Sequence, residues 1–246
     1  MILNDGIPLE LRDGKLFLHG AALQSSQRTA QDMRDVSSPS SAEEIIYLMY
    51  RNIFDKRHAE LIAKHKIRHD ITIIFPKMLG NEFSKTLGHY HSISKTVSYT
   101  EVYEVLAGKA HFLLQKVSGN KVEDAVVLEA NEGDAVIVPN DYGHMTINPT
   151  TEILAVSDLQ STLAAADYQP IKNLRGAAYF ETKRGFVKNT NYTNHILRIL
   201  KAGHIKAKYF GSKKPLYSIF VEAPEKFKFL NEPENFLELM RLAIAG

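Results

Sequence analysis

Gly133-Asp134-Ala135-Val136-Ile137-Val138-Pro139, followed by His144 and Asn148, decides how this chain is read. Its partner is Gly88-His89-Tyr90-His91, followed by Glu101 in Thr100-Glu101-Val102-Tyr103-Glu104-Val105-Leu106-Ala107-Gly108. On a strand, residues i and i+2 project to the same face. His89 and His91 therefore point together, with Tyr90 opposite. Glu101, Tyr103 and Val105 share one face, and Val102 and Glu104 take the other, so an inward Glu101 implies an outward Glu104. If both segments belong to one small barrel, their inward side chains meet. Three neutral imidazoles (His89, His91, His144) and the Glu101 carboxylate suit one divalent transition metal: Fe(II), Mn(II), Ni(II), Co(II) or Zn(II). Such a set leaves one or two positions open to water or substrate.

The surrounding sequence supports a barrel. Ile71-Thr72-Ile73-Ile74-Phe75 is a β-rich run stopped by Pro76. Strand-like runs recur at 85–91, 97–106, 110–117, 122–128, 134–138, 144–148 and 152–157, separated by turn residues such as Gly108-Lys109, Ser118-Gly119-Asn120 and Pro139-Asn140. Many short strands with regular turns indicate a β-sandwich or barrel rather than alternating helices and strands. Outside this region the reading is mixed. Residues 25–41 form a polar, serine-rich connector. Ile45, Ile46, Met49, Tyr50 and Ile53 have helix-like spacing, and Ser41 and Glu44 suit a capping box before them, although that pair could equally precede a strand. A helix over 55–69 would place His65 and His69 on one face, read as a solvated polar face. Strands are expected at 177–180 and 216–221, and an amphipathic helix at 233–245. The division expected is an N-terminal arm (1–45), a barrel carrying the site (46–185) and a C-terminal extension (186–246).

Composition narrows the function. Of 246 residues, 44% are apolar, enough for a sizeable core, and no apolar run is long enough for a membrane-spanning helix. The N-terminus lacks the build of a signal peptide. Cysteine is absent, which excludes disulfides and thiolate metal sites and suits a cytoplasmic setting. A net charge of +2 calls for neither nucleic acid nor membrane as partner. No Walker loop or dinucleotide fingerprint is present, so no nucleotide is implied.

The two segments resemble the paired motifs of the cupin superfamily. Gly133, Pro139, His144 and Asn148 match its Gly-x5-Pro-x4-His-x3-Asn form at every step, and Glu101 and Gly108 keep the six-residue gap of its first motif. The chain departs in having nine residues, Ser92 to Thr100, between His91 and Glu101. Within cupins it is similar to the cupin-type glucose-6-phosphate isomerases, over about residues 25–180. Lys85-Thr86-Leu87-Gly88-His89-Tyr90-His91 resembles their Thr-x-Gly-His-x-His signature. Leu113-Leu114-Gln115, Arg28 with Asp32-Met33-Arg34, and Asp167-Tyr168 resemble further segments. Asp141 stands where the family often has an aromatic residue near the metal, and a family tyrosine has no counterpart around Leu159-Gln160.

That resemblance implies a mainly β cupin fold, a double-stranded β-helix or jelly-roll barrel, with N-terminal helical elements and a C-terminal helix. It implies interconversion of glucose 6-phosphate and fructose 6-phosphate, in glycolysis and gluconeogenesis, with iron the expected metal. Glu101 is the expected base, carrying a proton between C1 and C2 as well as serving as ligand, with a hydride shift favoured by the metal as the alternative route, and Tyr103 is expected to hydrogen-bond Glu101 or a substrate hydroxyl. Thr72, Thr86 and Gly88 would bind the phosphate, and Tyr50 would line the pocket. A homodimer is expected, with residues after 186 covering a sheet edge, extending the dimer contact or capping the surface. Two other classes use the same ligands: an Fe or Mn oxidoreductase of dioxygenase type, and a non-catalytic sugar-phosphate-binding cupin. Activity on mannose 6-phosphate is a nearer neighbour.

Overall fold

A computed structural model describes residues 1–37, 43–203 and 205–245. Its centre is a barrel of two facing sheets. The larger has six strands, in the order Ala135–Val138, Glu101–Ala107, Leu154–Ser161, Ile67–Ile74, Ile45–Tyr50 and Ser26–Thr29. The smaller has four: Gly143–Ile147, Lys109–Ser118, Lys121–Asn131 and Arg198–Lys201. The expected mainly β architecture is therefore present.

Alternation divides each inner strand between two cores. Tyr47, Met49, Ile74, Tyr103, Val105 and Val156 face the barrel interior and pack with Phe112, Leu114, Val126 and Leu128 of the smaller sheet. Leu48, Tyr50, Ile71, Ile73, Val102, Ile137 and Leu159 point outward. A second layer buries this outer face. It comprises an N-terminal four-stranded meander (Leu3, Leu9, Leu11, Leu16) and C-terminal helical segments (Phe210, Leu216, Phe220, Phe227, Phe229). With both faces covered, the central strands read as nearly continuous apolar runs, as buried strands do.

Several elements differ from the sequence expectation. The segment with helix-like spacing from Ile45 is β, not helical: Ile45–Tyr50 is a strand hydrogen-bonded on one edge to Ser26–Thr29 and on the other to Ile67–Ile74. Cross-strand pairing on both edges outweighs its weak helical spacing. Ser41 of the expected capping box lies outside the described residues. The helix within 55–69 is short, Ala59–His65, and ends at Lys66 with φ +53°. His69 therefore lies on the following strand, away from His65, and is buried with its Nε2 3.2 Å from Asp5 rather than solvated. The expected strand at 85–91 is only a two-residue pairing at Tyr90–His91 plus isolated bridges at Lys85 and His89. The strand expected at 177–180 is displaced to Tyr179–Thr182.

Leu216–Glu222 is a helix, not a strand. Its apolar run satisfies either period. Pro215 opens the helix, and Leu216, Ile219 and Phe220 are buried in the outer core. The terminal helix is confined to Leu237–Ala243, after a 3₁₀ turn at Pro233–Asn235. The C-terminal segment covers both an edge and a face. Arg198–Lys201 pairs in parallel with Val126–Glu129, and the later helices cover the six-stranded sheet. Among the described residues no helix is long and apolar enough to cross a membrane.

Candidate metal centre

Sheet register places the carboxylate. Glu101 begins its strand opposite Val138 on one side and Gln160 on the other. Two residues on, Tyr103 faces the same way, and its ring packs on Phe112 at 5.1 Å between centroids. Glu104 points outward, as alternation requires, and meets Lys206 Nζ at 2.5 Å.

The histidines arrive from the opposing side. His89 and His144 form an isolated antiparallel bridge, which sets their rings 4.4 Å apart. This approach needs Gly88: its φ is +83°, and a Cβ there would stand 2.7 Å from Met145 Cε. His91 follows two residues later on the same side as His89. The nine-residue gap between His91 and Glu101 serves this arrangement. Tyr99 N–H donates to the Ser92 carbonyl at 3.0 Å, closing the loop, and the Tyr99 carbonyl lies 3.1 Å from His91 Nδ1. A proton on Nδ1 donated there leaves the Nε2 lone pair facing inward.

One donor atom from each of His89, His91, Glu101 and His144 lies within 4.8 Å of the others. His89 Nε2 is 3.2 Å from His91 Nε2. Glu101 Oε2 is 3.0 Å from His144 Nε2 and 3.3 Å from His91 Nε2. Donors about 2.1 Å from a common ion stand about 3 Å apart, so this spacing fits one cation. Electrostatics agree. Glu101 Oε2 is buried without a hydrogen-bond partner, a costly acceptor unless a cation meets it. Burial pushes the Glu101 carboxyl up, but His144 and His91 more than offset this and hold it well below the usual carboxylate range. Burial and the neighbouring imidazoles hold His89 well below its ordinary value, and burial chiefly lowers His144. Neutral imidazoles beside an ionised carboxylate form a fitting donor set for a divalent transition metal.

The Glu101 carboxylate opens on a cavity of about 330 Å³, within the usual range for small-molecule sites. Thr72, Thr86, Gly88, His89, Glu101 and Tyr103 all line it. Tyr50 does not. It lies on the outward face of its strand, where its hydroxyl accepts from the Leu16 N–H at 3.1 Å. Tyr47, on the inward face, takes the place expected of it. Asp141 is also displaced from the expected position near the metal: it exchanges hydrogen bonds with Ser98 and pins the insertion to the Pro139–Gly143 turn.

The cavity also holds residues the sequence reading missed: Arg51, Arg68, Asp158, Gln160 and Tyr168. Gln160 Nε2 donates to Glu101 Oε1 at 2.7 Å and to Asp158 Oδ2 at 2.9 Å, orienting the carboxylate that faces the histidines. Burial, then the charges of Glu101 and Asp70, push the Asp158 carboxyl well up. The signal for Arg51 was present as alternation, Tyr47-x-Met49-x-Arg51, and was obscured by the helical reading of that segment.

The glucose-6-phosphate isomerase family model matches residues 22–198. The glucose-6-phosphate isomerase of Thermococcus litoralis is 37% identical over 100 residues, covering 41% of this chain and 49% of that protein. That of Thermococcus gammatolerans is 28% identical over 174 residues, covering 68% and 83%. The chain thus spans about half the length of several relatives it matches. Among solved structures, vicilin from Capsicum annuum is 13% identical with a TM-score of 0.38, covering 58% of this chain and 32% of that one. The family match takes in the four clustered donors and most of the barrel, and this chain belongs to the glucose-6-phosphate isomerase family.

Proposed function

We propose that this chain interconverts glucose 6-phosphate and fructose 6-phosphate, with one divalent transition metal, iron first among the candidates, held by His89, His91, Glu101 and His144. The observation that carries the reading is the convergence of these four donors beside a cavity lined by Thr72, Thr86 and Gly88. A bound divalent ion supplies Lewis-acid stabilisation of charge developing on the substrate oxygens. Glu101 removes the proton from C2 of the aldose and returns it to C1, while the hydroxyl proton on O2 passes to O1, giving the ketose. Gln160 fixes the carboxylate plane during both transfers. Burial first, then the Glu101 charge, hold Tyr103 well above its ordinary value. Its hydroxyl therefore stays protonated and orients the substrate. The Thr72 and Thr86 hydroxyls donate to the phosphate. The region 46–185 carries the site, and a cytoplasmic homodimer is the proposed working form.

The test uses metal-stripped full-length protein with and without Fe(II), Mn(II), Ni(II) and Zn(II). Glucose 6-phosphate formation from fructose 6-phosphate is followed, with Glu101→Gln as control. Turnover restored by metal and lost in the control is expected. No turnover with any ion, despite one bound ion per chain, overturns the reading in favour of an oxidoreductase or a binding protein.

A further inference from the structure

Two guanidiniums share one carboxylate inside the site cavity. Arg51 Nη1 donates to Asp70 Oδ2 at 2.6 Å, and Arg68 Nε donates to the same oxygen at 2.8 Å. Asp70 Oδ1 is taken by the Asn52 N–H at 2.8 Å. Asp70 is fully buried, whereas the Arg51 and Arg68 side chains are 42% and 32% exposed. The carboxylate therefore anchors the pair from beneath while the forks reach into the cavity, which both residues line. Each guanidinium has five N–H donors. Arg51 directs another nitrogen only at Met49 Sδ, 3.1 Å away, and among the described residues neither Nη of Arg68 hydrogen-bonds to the protein. Two cations share the one carboxylate they hydrogen-bond to and keep donors to spare, while the carboxyl groups of Asp158 and Glu101 also lie within electrostatic reach of Arg51.

Register sets where this charge lies. Arg68 pairs with Gln160, and Gln160 pairs with Glu101. Arg68 is thus two strand spacings, about 10 Å, from the Glu101 backbone, and side chains reach into the gap from both ends. The Asp70 row runs parallel to it, through Asp158 to Tyr103. Arg51 and Arg68 accordingly form a cationic part of the cavity wall, with Arg51 within electrostatic reach of Glu101 and Asp158, and the hydroxyls of Thr72 and Thr86 belong to the same lining. The hydroxyls of an unphosphorylated sugar offer these guanidiniums only neutral acceptors. A phosphate monoester offers a dianion whose oxygens match the planar fork.

We propose that Arg51 and Arg68, braced on Asp70, form the charged clamp for the substrate's phosphate and set the requirement for a phosphorylated sugar. This rests on the isomerase reading for its substrate, but not for its anion. Thr72 and Thr86 orient the phosphate, and the guanidiniums supply the charge that distinguishes it from a hydroxyl.

Inorganic phosphate is the first probe, titrated calorimetrically into the full metal-loaded chain. Arg51→Gln and Arg68→Gln are each expected to weaken phosphate binding at least tenfold. Lys172→Gln, which removes a cation from the neighbouring surface cavity, leaves it unchanged. Each single variant keeps one guanidinium on Asp70. Arg68→Lys, which keeps the charge without the fork, is expected to fall between wild type and Arg68→Gln and remains testable if the glutamine variant does not fold. In turnover, KM for fructose 6-phosphate rises at least tenfold while kcat stays within about threefold. Phosphate affinity equal to wild type in folded arginine variants overturns the clamp, as does a wild type that binds no phosphate. Arginine-dependent phosphate binding by a chain with no isomerase activity would overturn the isomerase reading and leave the clamp standing.

Discussion

His89 and His144 exchange two backbone hydrogen bonds, His89 N–H to the His144 carbonyl at 3.1 Å and His144 N–H to the His89 carbonyl at 3.0 Å. Residues 55 positions apart thereby lock face to face, and their rings stack edgewise beside Glu101 Oε2. The geometry of the candidate ligand set is thus held by main chain as well as by side-chain packing.

This dependence on main chain makes Gly88 a sensitive position. Gly88→Ala places a Cβ 2.7 Å from Met145 Cε and 3.3 Å from the His144 carbonyl, at φ +83°. Destabilisation of about 1–3 kcal/mol is expected, with weaker metal binding because the His89–His144 bridge must shift. Urea unfolding and metal content per chain check both.

Tyr103→Phe separates packing from chemistry. The ring contact with Phe112 survives, and the hydroxyl 3.2 Å from His144 Nε2 is lost. Stability should change by less than about 1.5 kcal/mol, while kcat falls roughly 10²-fold. Equal kcat in the two proteins would show that the hydroxyl has no part in turnover.

On the outer face, burial pushes the Glu104 carboxyl up to about 7, against the pull of Lys206 and the Leu216 N–H. The folded pKa lies above the ordinary value of 4.5, so the folded chain holds the extra proton between these limits. Its contribution is full below about pH 4.5 and is lost as pH rises through about 7, at up to about 1.4 kcal/mol per pH unit. Glu104→Gln should flatten that slope in unfolding free energy measured from pH 4.5 to 8.

The C-terminal cover is stabilising rather than chemical. Phe227 is 1% exposed and packs on Phe210 and Phe220 with centroids 4.9 and 5.5 Å away. Phe227→Ala should cost about 3–5 kcal/mol and leave the metal stoichiometry at one per chain. Loss of metal in a variant still folded would show that the cover reaches the site.

The ligand set was legible because its spacing is local. His-x-His and Glu-x-Tyr each report one face of one strand, and the Gly133–Asn148 pattern marks the turn that returns a third histidine. The rest of the cavity was not. Arg51 and Arg68 lay within segments read as helical, and only in strands do Tyr47, Met49 and Arg51 share a face. Tyr50, expected in the pocket from the family resemblance, is turned outward by the same strand alternation. Leu216–Val221 fitted both periods, and its helix was decided by Pro215 and by the aromatic surface awaiting it.

Alternation and turn chemistry along the chain by themselves determined a mainly β barrel, the identity of four clustered side chains that could hold a metal and the division of Glu101 from Glu104 across a sheet. Tertiary structure alone decided that Ile45–Tyr50 is a strand, that two arginines meet over Asp70, and that the C-terminal helices close the outer face. The physical reason is that face and turn are set by neighbours a few residues apart. Strand pairing, shared counter-ions and burial depend on partners distant in sequence, whose positions no local pattern encodes.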